Sequence, residues 1–307
     1  MILLCGIPTE TPIALVREAL DDNGARYVVL NQRKFSSMKM SLEIKGGKPA
    51  GRLQLNGDSY SVDEFTGVFT RLMDHRHLPE LQDEPANSPQ LKYCSNLFDT
   101  LTRWAEISPA RVVNRVAPMG SNFSKPYQAQ LIKRYGFEVP ETLITNDPEL
   151  VRSFRARHGR VIYKSISGVR SIVQTLTDDD MTRIENIRWC PTQFQAFVEG
   201  TNVRVHTVGE KVFATAIKTE ATDYRYAHRQ SGDHAELRPV DLSDDLAEMC
   251  VKLSAGLGLA FAGIDLKITP EHDVYCFEVN PSPAFSYYES QTGQPISRAV
   301  ADYLSGS

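Results

Sequence analysis

Residues 262–285 read AGIDLKITPEHDVYCFEVNPSPAF. Residues 262–269 and 274–280 are apolar-rich runs separated by a polar turn, the pattern of a β-hairpin. With the turn centred between Glu271 and His272, Asp265 stands directly opposite Glu278 on one face. Asn280 follows on that face, because side chains alternate with period two. Gly263 then faces Asn280 and leaves room for a phosphate. Two like charges directly opposed on a sheet destabilise it. A hard cation with oxygen ligands removes that penalty, and Mg2+ bound with a nucleotide phosphate is the usual case. The alternative is a surface hairpin with solvated acids, but Ile264, Leu266, Phe277 and Val279 argue against full exposure. An odd-length turn would slip the register by one residue and part the two acids.

Basic residues precede this hairpin. Residues 203–208 and 212–217 form another hairpin around Gly209-Glu210, with Asn202, Arg204 and His206 on one face. Lys164 ends a strand over 161–164 and precedes the loop Ser165-Ile166-Ser167-Gly168. Exposed N–H groups beside an ammonium suit phosphate, although such a loop is more often only a turn. Lys125 lies in the first turn of a helix that a hydroxyl within 121–124 can cap and that runs to about Arg134, before Gly136. A cation there opposes the helix dipole, and a locally unfavourable residue is a mild sign of function. Arg225 follows Asp223-Tyr224 in a polar loop and says little alone.

Further out, residues 1–5, a helix from Thr9 to about Leu20 and residues 27–30 make a β-α-β opening, which indicates an α/β domain with a parallel core. Strands follow at 41–44, 52–55 and 67–72, then a helix over 88–107 and a strand at 112–113. The first domain therefore ends near residue 115. Asp147-Pro148 opens a helix closed by Gly159, residues 178–188 read as helical, and residues 194–198 as a strand. Ser243 caps a helix to about Gly256. The last helix carries Ile296, Ala299, Val300, Tyr303 and Leu304 on one face.

The chain has 307 residues, 41% hydrophobic and 23% charged, with a net charge of -4 and no long basic run. That balance argues against nucleic-acid binding by phosphate neutralisation. The five cysteines form no CxxC pair or cluster, so neither a zinc site nor a disulfide framework is indicated, and a cytoplasmic protein with reduced thiols is expected. The apolar start MILLCGIP lacks a basic flank and is too short for a signal peptide. No run reaches the ~20 apolar residues of a membrane helix. There is no GxxxxGK[ST] motif, and Gly256-Leu257-Gly258 follows a helix, where it acts as a stop.

In order, these pieces resemble the ATP-grasp fold and, within it, the RimK-like ligases. The resemblance runs from about Asn114 to the C-terminus. It takes in Lys125, GFEVPET (136–142), Lys164 with its small-residue loop, QFQAFVEG (193–200), NVRVHTVG (202–209), Asp223-Tyr224-Arg225, GIDLK and EVNPSP. The phrases PTQFQAF, DYR, EVNP and TGQPISRAVADYL are similar to the peptide-modifying ligases that build macrocyclic ribosomal peptides. The first domain matches them faintly, through FTGVFTRL before Asp74. The resemblance implies an α/β (α+β) ATP-grasp fold with an N-terminal α/β pre-ATP-grasp domain: residues 1–115, a central subdomain 116–190 and a C-terminal subdomain 191–307 with the metal site. It implies that Lys125 and Lys164 contact ATP phosphates and that the hinge Gln195, Ala196, Phe197 and Val198 holds adenine. Glu199 would take the ribose, with Asn202 beside it where an acid is common. Asp265, Glu278 and Asn280 would bind Mg2+, or Mn2+ in its place. Arg204 would meet phosphate or acyl phosphate, and Arg225 the reacting carboxylate.

The expected activity is ATP-dependent activation of a carboxylate as an acyl phosphate and its transfer to an amine, with small-molecule or peptide substrates and room for a homo-oligomer. The acyl phosphate must be kept from water, so a lid is expected at 165–171. The alternatives are a macrocyclase forming esters or amides in a precursor peptide and a nucleotide-binding module without catalysis. PSPAFSYYE after Asn280 departs from the macrocycle-forming enzymes.

Overall fold

The computed structural model describes residues 1–166, 173–218 and 236–307. Arg225, and all but the start of the expected lid, lie outside the described residues. The chain opens with β1 (Ile2–Gly6), α1 (Thr11–Asp22) and β2 (Tyr27–Asn31), then β3 (Lys39–Lys45), β4 (Lys48–Leu55), β5 (Asp58–Ser61), β6 (Gly67–Thr70), α2 (Pro89–Ile107) and β7 (Arg111–Val113). β2-β1-β6-β7 form a parallel sheet, as the β-α-β opening predicts. β3-β4-β5 form a separate antiparallel sheet. α1 starts one residue later than Thr9 would cap it: Glu10 holds the N-cap position and makes no capping bond with its side chain.

Next come α3 (Val116–Met119), α4 (Lys125–Lys133), β8 (Thr142–Thr145), α5 (Pro148–His158), β9 (Val161–Ser165), β10 (Gln174–Thr175), α6 (Asp178–Thr182) and β11 (Thr192–Ala196). β10-β9-β11-β8 make an antiparallel sheet packed on α5 through Val151, Phe154, Val161 and Phe194. The helix expected over 178–188 stops at Thr182. Arg183 leaves helical geometry (φ -107°, ψ 7°), and a 3-10 segment, Ile184–Trp189, carries Ile184 into the core.

The chain continues with β12 (Thr201–Val208), β13 (Lys211–Lys218), β14 (Glu236–Val240), α7 (Asp244–Gly256), β15 (Phe261–Ile268), β16 (Val274–Asn280), α8 (Ser286–Thr292) and α9 (Ile296–Ser305). The five-stranded sheet β14-β13-β12-β15-β16 buries Val205, Ile264 and Val279 against Leu253 of α7. α9 returns to the first sheet, where Ile296, Val300 and Leu304 pack with Ile2, Leu4 and Ile13. This is the apolar face that helical spacing predicts.

Candidate functional site

The hairpin of β15 and β16 sets the site. Asp265 pairs with Glu278 and Gly263 with Asn280, as expected for the carboxylate pair. The turn itself is odd: Ile268 pairs with Val274, which leaves five residues between them. That register would part the acids. A bulge restores it, because Leu266 pairs with Cys276 while Asp265 pairs with Glu278, so Phe277 is the extra residue. Bulges re-aim side chains in this way. Here Phe277 joins the wall of a cavity.

Two buried amides and one arginine hold this strand end. Gln128 of α4 donates from Nε2 to the Val279 carbonyl (2.8 Å), and its Oε1 accepts from Val279 N (3.0 Å). Asn114 donates to the carbonyls of Phe261 and Pro281, each at 2.6 Å, and accepts from the N–H groups of Ala260 and Phe261. That uses both donors and both lone pairs of the amide. Arg71 donates to Ser282 Oγ and the Pro283 carbonyl.

Gln128 thereby sets α4 so that Lys125, in its first turn, meets Glu278 and donates to Asn122 Oδ1 (2.7 Å). Ser124 occupies the N-cap of α4 without a side-chain bond. Arg204 is 5% exposed and donates from Nη1 to Asp265 Oδ1 at 2.7 Å. Its guanidinium lies over Gly263: an added Cβ there would sit 2.1 Å from Nη2. The room expected for a phosphate at Gly263 is therefore filled by the arginine, whose charge would meet the phosphate. Beside it His206 is fully buried. Burial, with Arg204 adding to it, pushes its pKa well below the ordinary 6.5 and keeps the ring neutral.

The donor set Asp265, Glu278 and Asn280 is all oxygen. Asn280 Oδ1 accepts from Ser282 N at 2.9 Å and keeps a second lone pair. Among the described residues no group of three His, Cys, Asp or Glu side chains is placed to hold a metal. Two carboxylates and an amide oxygen fit a hard cation that keeps waters and shares substrate phosphates, as Mg2+ does.

Two adjoining cavities, about 120 and 400 Å³, lie between the four-stranded sheet of β8–β11 and the five-stranded sheet, and both are walled by Lys164, Gln195 and Phe277. The first also takes in Phe197, Val198, Asn202, Asp265 and Glu278, and the second Lys125. The structure thus brings together most of the residues named from the sequence. Within the hinge, Ala196 N and Phe197 N already donate to the carbonyls of Glu141 and Arg160. Among the described residues Val198 N makes no such bond to a backbone carbonyl. Glu199 stands apart from both cavity walls and pairs with Arg160 at 3.0 Å.

Lys267 was missed. It lies 4.9 Å from the Phe197 ring centroid, whose ring also carries the Arg160 guanidinium at 3.5 Å. Desolvation lowers its pKa, against the pull of Glu199. Alternation from Asp265 puts Lys267 on the site face and could have found it.

A family model described as the RimK-like ATP-grasp domain matches residues 124–304. A probable alpha-L-glutamate ligase of Rhodopirellula baltica is 23% identical over 299 residues, covering 94% of this chain. The match spans 66% of that relative's own length. A RiPP-associated ATP-grasp ligase of Chryseobacterium gregarium, solved with ADP and a leader and core peptide, has a TM-score of 0.83 at 23% identity, covering 99% of this chain and 96% of that one. The ATP-grasp ligase PsnB, solved with a phosphomimetic variant of its minimal precursor, Mg and ADP, has a TM-score of 0.78 at 25% identity, covering 99% and 97%. The fold is that of the ATP-grasp ligases, and with the family model matching more than half its length the chain belongs to the RimK-like ATP-grasp domain family.

Proposed function

We infer that this chain is an ATP-dependent ligase that phosphorylates a carboxylate and passes the acyl group to an amine. The observation that carries the reading is the opposed pair Asp265 and Glu278, with Arg204 and Lys125 against it, in the wall of the first of two adjoining cavities. A carboxylate is a poor electrophile at neutral pH. Its oxygen attacks the terminal phosphorus of ATP, the bond to the bridging oxygen breaks, and ADP departs. The amine then attacks the acyl carbon, inorganic phosphate leaves, and the new ammonium gives up a proton. Mg2+ at Asp265, Glu278 and Asn280 would neutralise phosphate charge. Lys125 and Lys164 would hold the phosphates, and Arg204 the transferring group.

Gln195, Ala196, Phe197 and Val198 would line the adenine seat, with Asn202 nearby. Glu199 would have to leave Arg160 to reach a ribose. Arg225 enters through the family resemblance alone, as a partner of the reacting carboxylate. The proposed division is 1–115, 116–190 and 191–307.

A second reading has a specific support. PsnB and the Chryseobacterium ligase align over nearly their whole lengths with this chain, whereas a third of the glutamate-ligase relative lies outside its match. That favours a peptide substrate, with the carboxylate and the nucleophile on one precursor and an ester or amide cross-link as product.

Release of ADP from Mg-ATP on adding acid–amine pairs or a genomically adjacent precursor peptide tests the activity. Glu278→Gln is expected to cut that release by about 100-fold or more while circular dichroism and melting stay near wild type, the scale of losing a preorganised electrostatic group. Near-normal turnover in this variant would sink the metal assignment.

A further inference from the structure

β3 is an outer strand of the small antiparallel sheet and pairs with β4 on one side only. The turn Gly46-Gly47 has positive φ at both residues, 59° and 79°, the type I′ geometry of a two-residue hairpin. Lys45 and Lys48 therefore form a hydrogen-bonded pair, and the pattern alternates back along the strand. Position 41 is bonded inward on this count, and the packing agrees: an added Cβ on Gly51 would lie 2.0 Å from the Ser41 carbonyl oxygen. The N–H and C=O groups of Met40, Leu42 and Ile44 thus point away from β4. Among the described residues β3 makes no backbone-to-backbone bond other than those of its pairing with β4. Such an edge is a template for another strand.

The edge complements itself. Lys39 and Glu43 project from one face and are exposed. Met40 and Leu42 lie on the other face, half-buried against the first core. Two copies of β3 set antiparallel about Ser41 place Lys39 of each opposite Glu43 of the other. These are non-hydrogen-bonded positions, where facing side chains come closest. Glu43, which meets Lys45 of its own strand at 2.8 Å, would bridge the two lysines. Met40 and Leu42 then exchange backbone bonds across the axis. Neighbouring registers lack this match: about Leu42, Lys39 meets Lys45, and about Glu43, two carboxylates meet. Charge therefore selects the register. The pairing also covers apolar surface. Ile44 is 60% exposed and Tyr93 of α2 is 40% exposed. In this register Ile44 comes beside Met38 of the other copy, and the Tyr93 hydroxyl donates to the Met38 carbonyl.

We propose that β3 is a dimerisation edge: two copies of this chain join antiparallel through Met40 and Leu42, with Lys39–Glu43 ion pairs on both sides of a two-fold axis, so that their small sheets become one. The occupant is a second copy because the strand's own charges supply both halves of each pair. A closed two-fold pairing uses the edge of both copies, so association stops at the dimer.

Sedimentation velocity on the full chain tests this. Over about 1 to 100 µM, the range in which a small interface associates, the wild type is expected to form a reversible dimer. Lys39→Glu and Glu43→Lys each set like charges opposite one another at both symmetric positions, and each is expected to raise the dimer Kd about 10-fold or more. Both side chains are exposed, so circular dichroism is expected to stay that of wild type. Mixing the two variants restores both ion pairs in a heterodimer, and the double variant K39E/E43K restores them in a homodimer. Recovery of this kind is a result that a general loss of folding cannot give. A wild type that stays monomeric across the range, single variants that dimerise as tightly as wild type, or a mixture or double variant that stays dissociated overturns the proposal.

Discussion

At Gly263 a missing Cβ decides where a positive charge sits. Arg204 lies almost wholly buried with its guanidinium over that glycine and one nitrogen on Asp265. A methyl group at Gly263 meets the end of a side chain rather than backbone, so the arginine would shift while the strand stays. Gly263→Ala should therefore lower ligation about 100-fold, as loss of a preorganised cation does, while stability falls by about 1 kcal/mol. ADP release and urea unfolding on the same sample check this; activity near wild type would mean that Arg204 does not meet the reacting phosphate. Period-two alternation made Asn202 with Arg204, and Glu278 with Asn280, legible in the sequence, because alternation puts each pair on one face of its strand. Asn114, Gln128 and Arg71 were not legible as partners of that strand end. Their contacts span 146 to 212 residues in sequence, and no local period encodes such a distance.

Most elements were readable within a residue or two, since turns at Gly46-Gly47, Gly136 and Gly209 take the positive φ that glycine tolerates. The bulge was not. A five-residue turn and an extra Phe277 cancel in register, so a regular hairpin centred between Glu271 and His272 gives the same carboxylate pair by a different path. The difference shows in the aromatic ring: without the bulge Phe277 would face the core side with Val279. With it, Phe277 lines both halves of the proposed nucleotide cavity. Phe277→Ala should thus weaken Mg-nucleotide binding about tenfold, from about 1.4 kcal/mol of lost apolar contact, and leave the metal ligands in place. Calorimetry with Mg-AMP-PNP measures it, and an unchanged Kd would show that the ring does not meet the nucleotide.

Across the whole molecule, the sheet that carries the candidate metal ligands is tied into the sheet that begins the chain. α9 and Phe285 share one apolar core with β1 and α1, and His206, two residues from Arg204, meets the ring of Tyr288 of α8 edge-on with centroids 4.9 Å apart and lies tilted 6.2 Å from that of Phe261. Both ring nitrogens of His206 are buried, and neither has a hydrogen-bond partner among the described residues. The ring thus stays neutral in the folded protein, with its pKa held well below 6.5 by burial first and Arg204 second. Unfolding returns it to water, where it takes up a proton near its ordinary pKa. A depressed folded pKa means that its share of stability is present above about pH 6.5 and is lost as pH falls below that value, since the unfolded chain then binds the extra proton. One such histidine accounts for about 1.4 kcal/mol of destabilisation between about pH 7.5 and pH 5.5. His206→Leu keeps an apolar side chain of similar size and removes the titration. Urea unfolding at the two pH values should show that the variant loses less stability than wild type on acidification, by about that amount. An equal loss in both proteins would mean that the histidine is protonated in the folded state or reached by water.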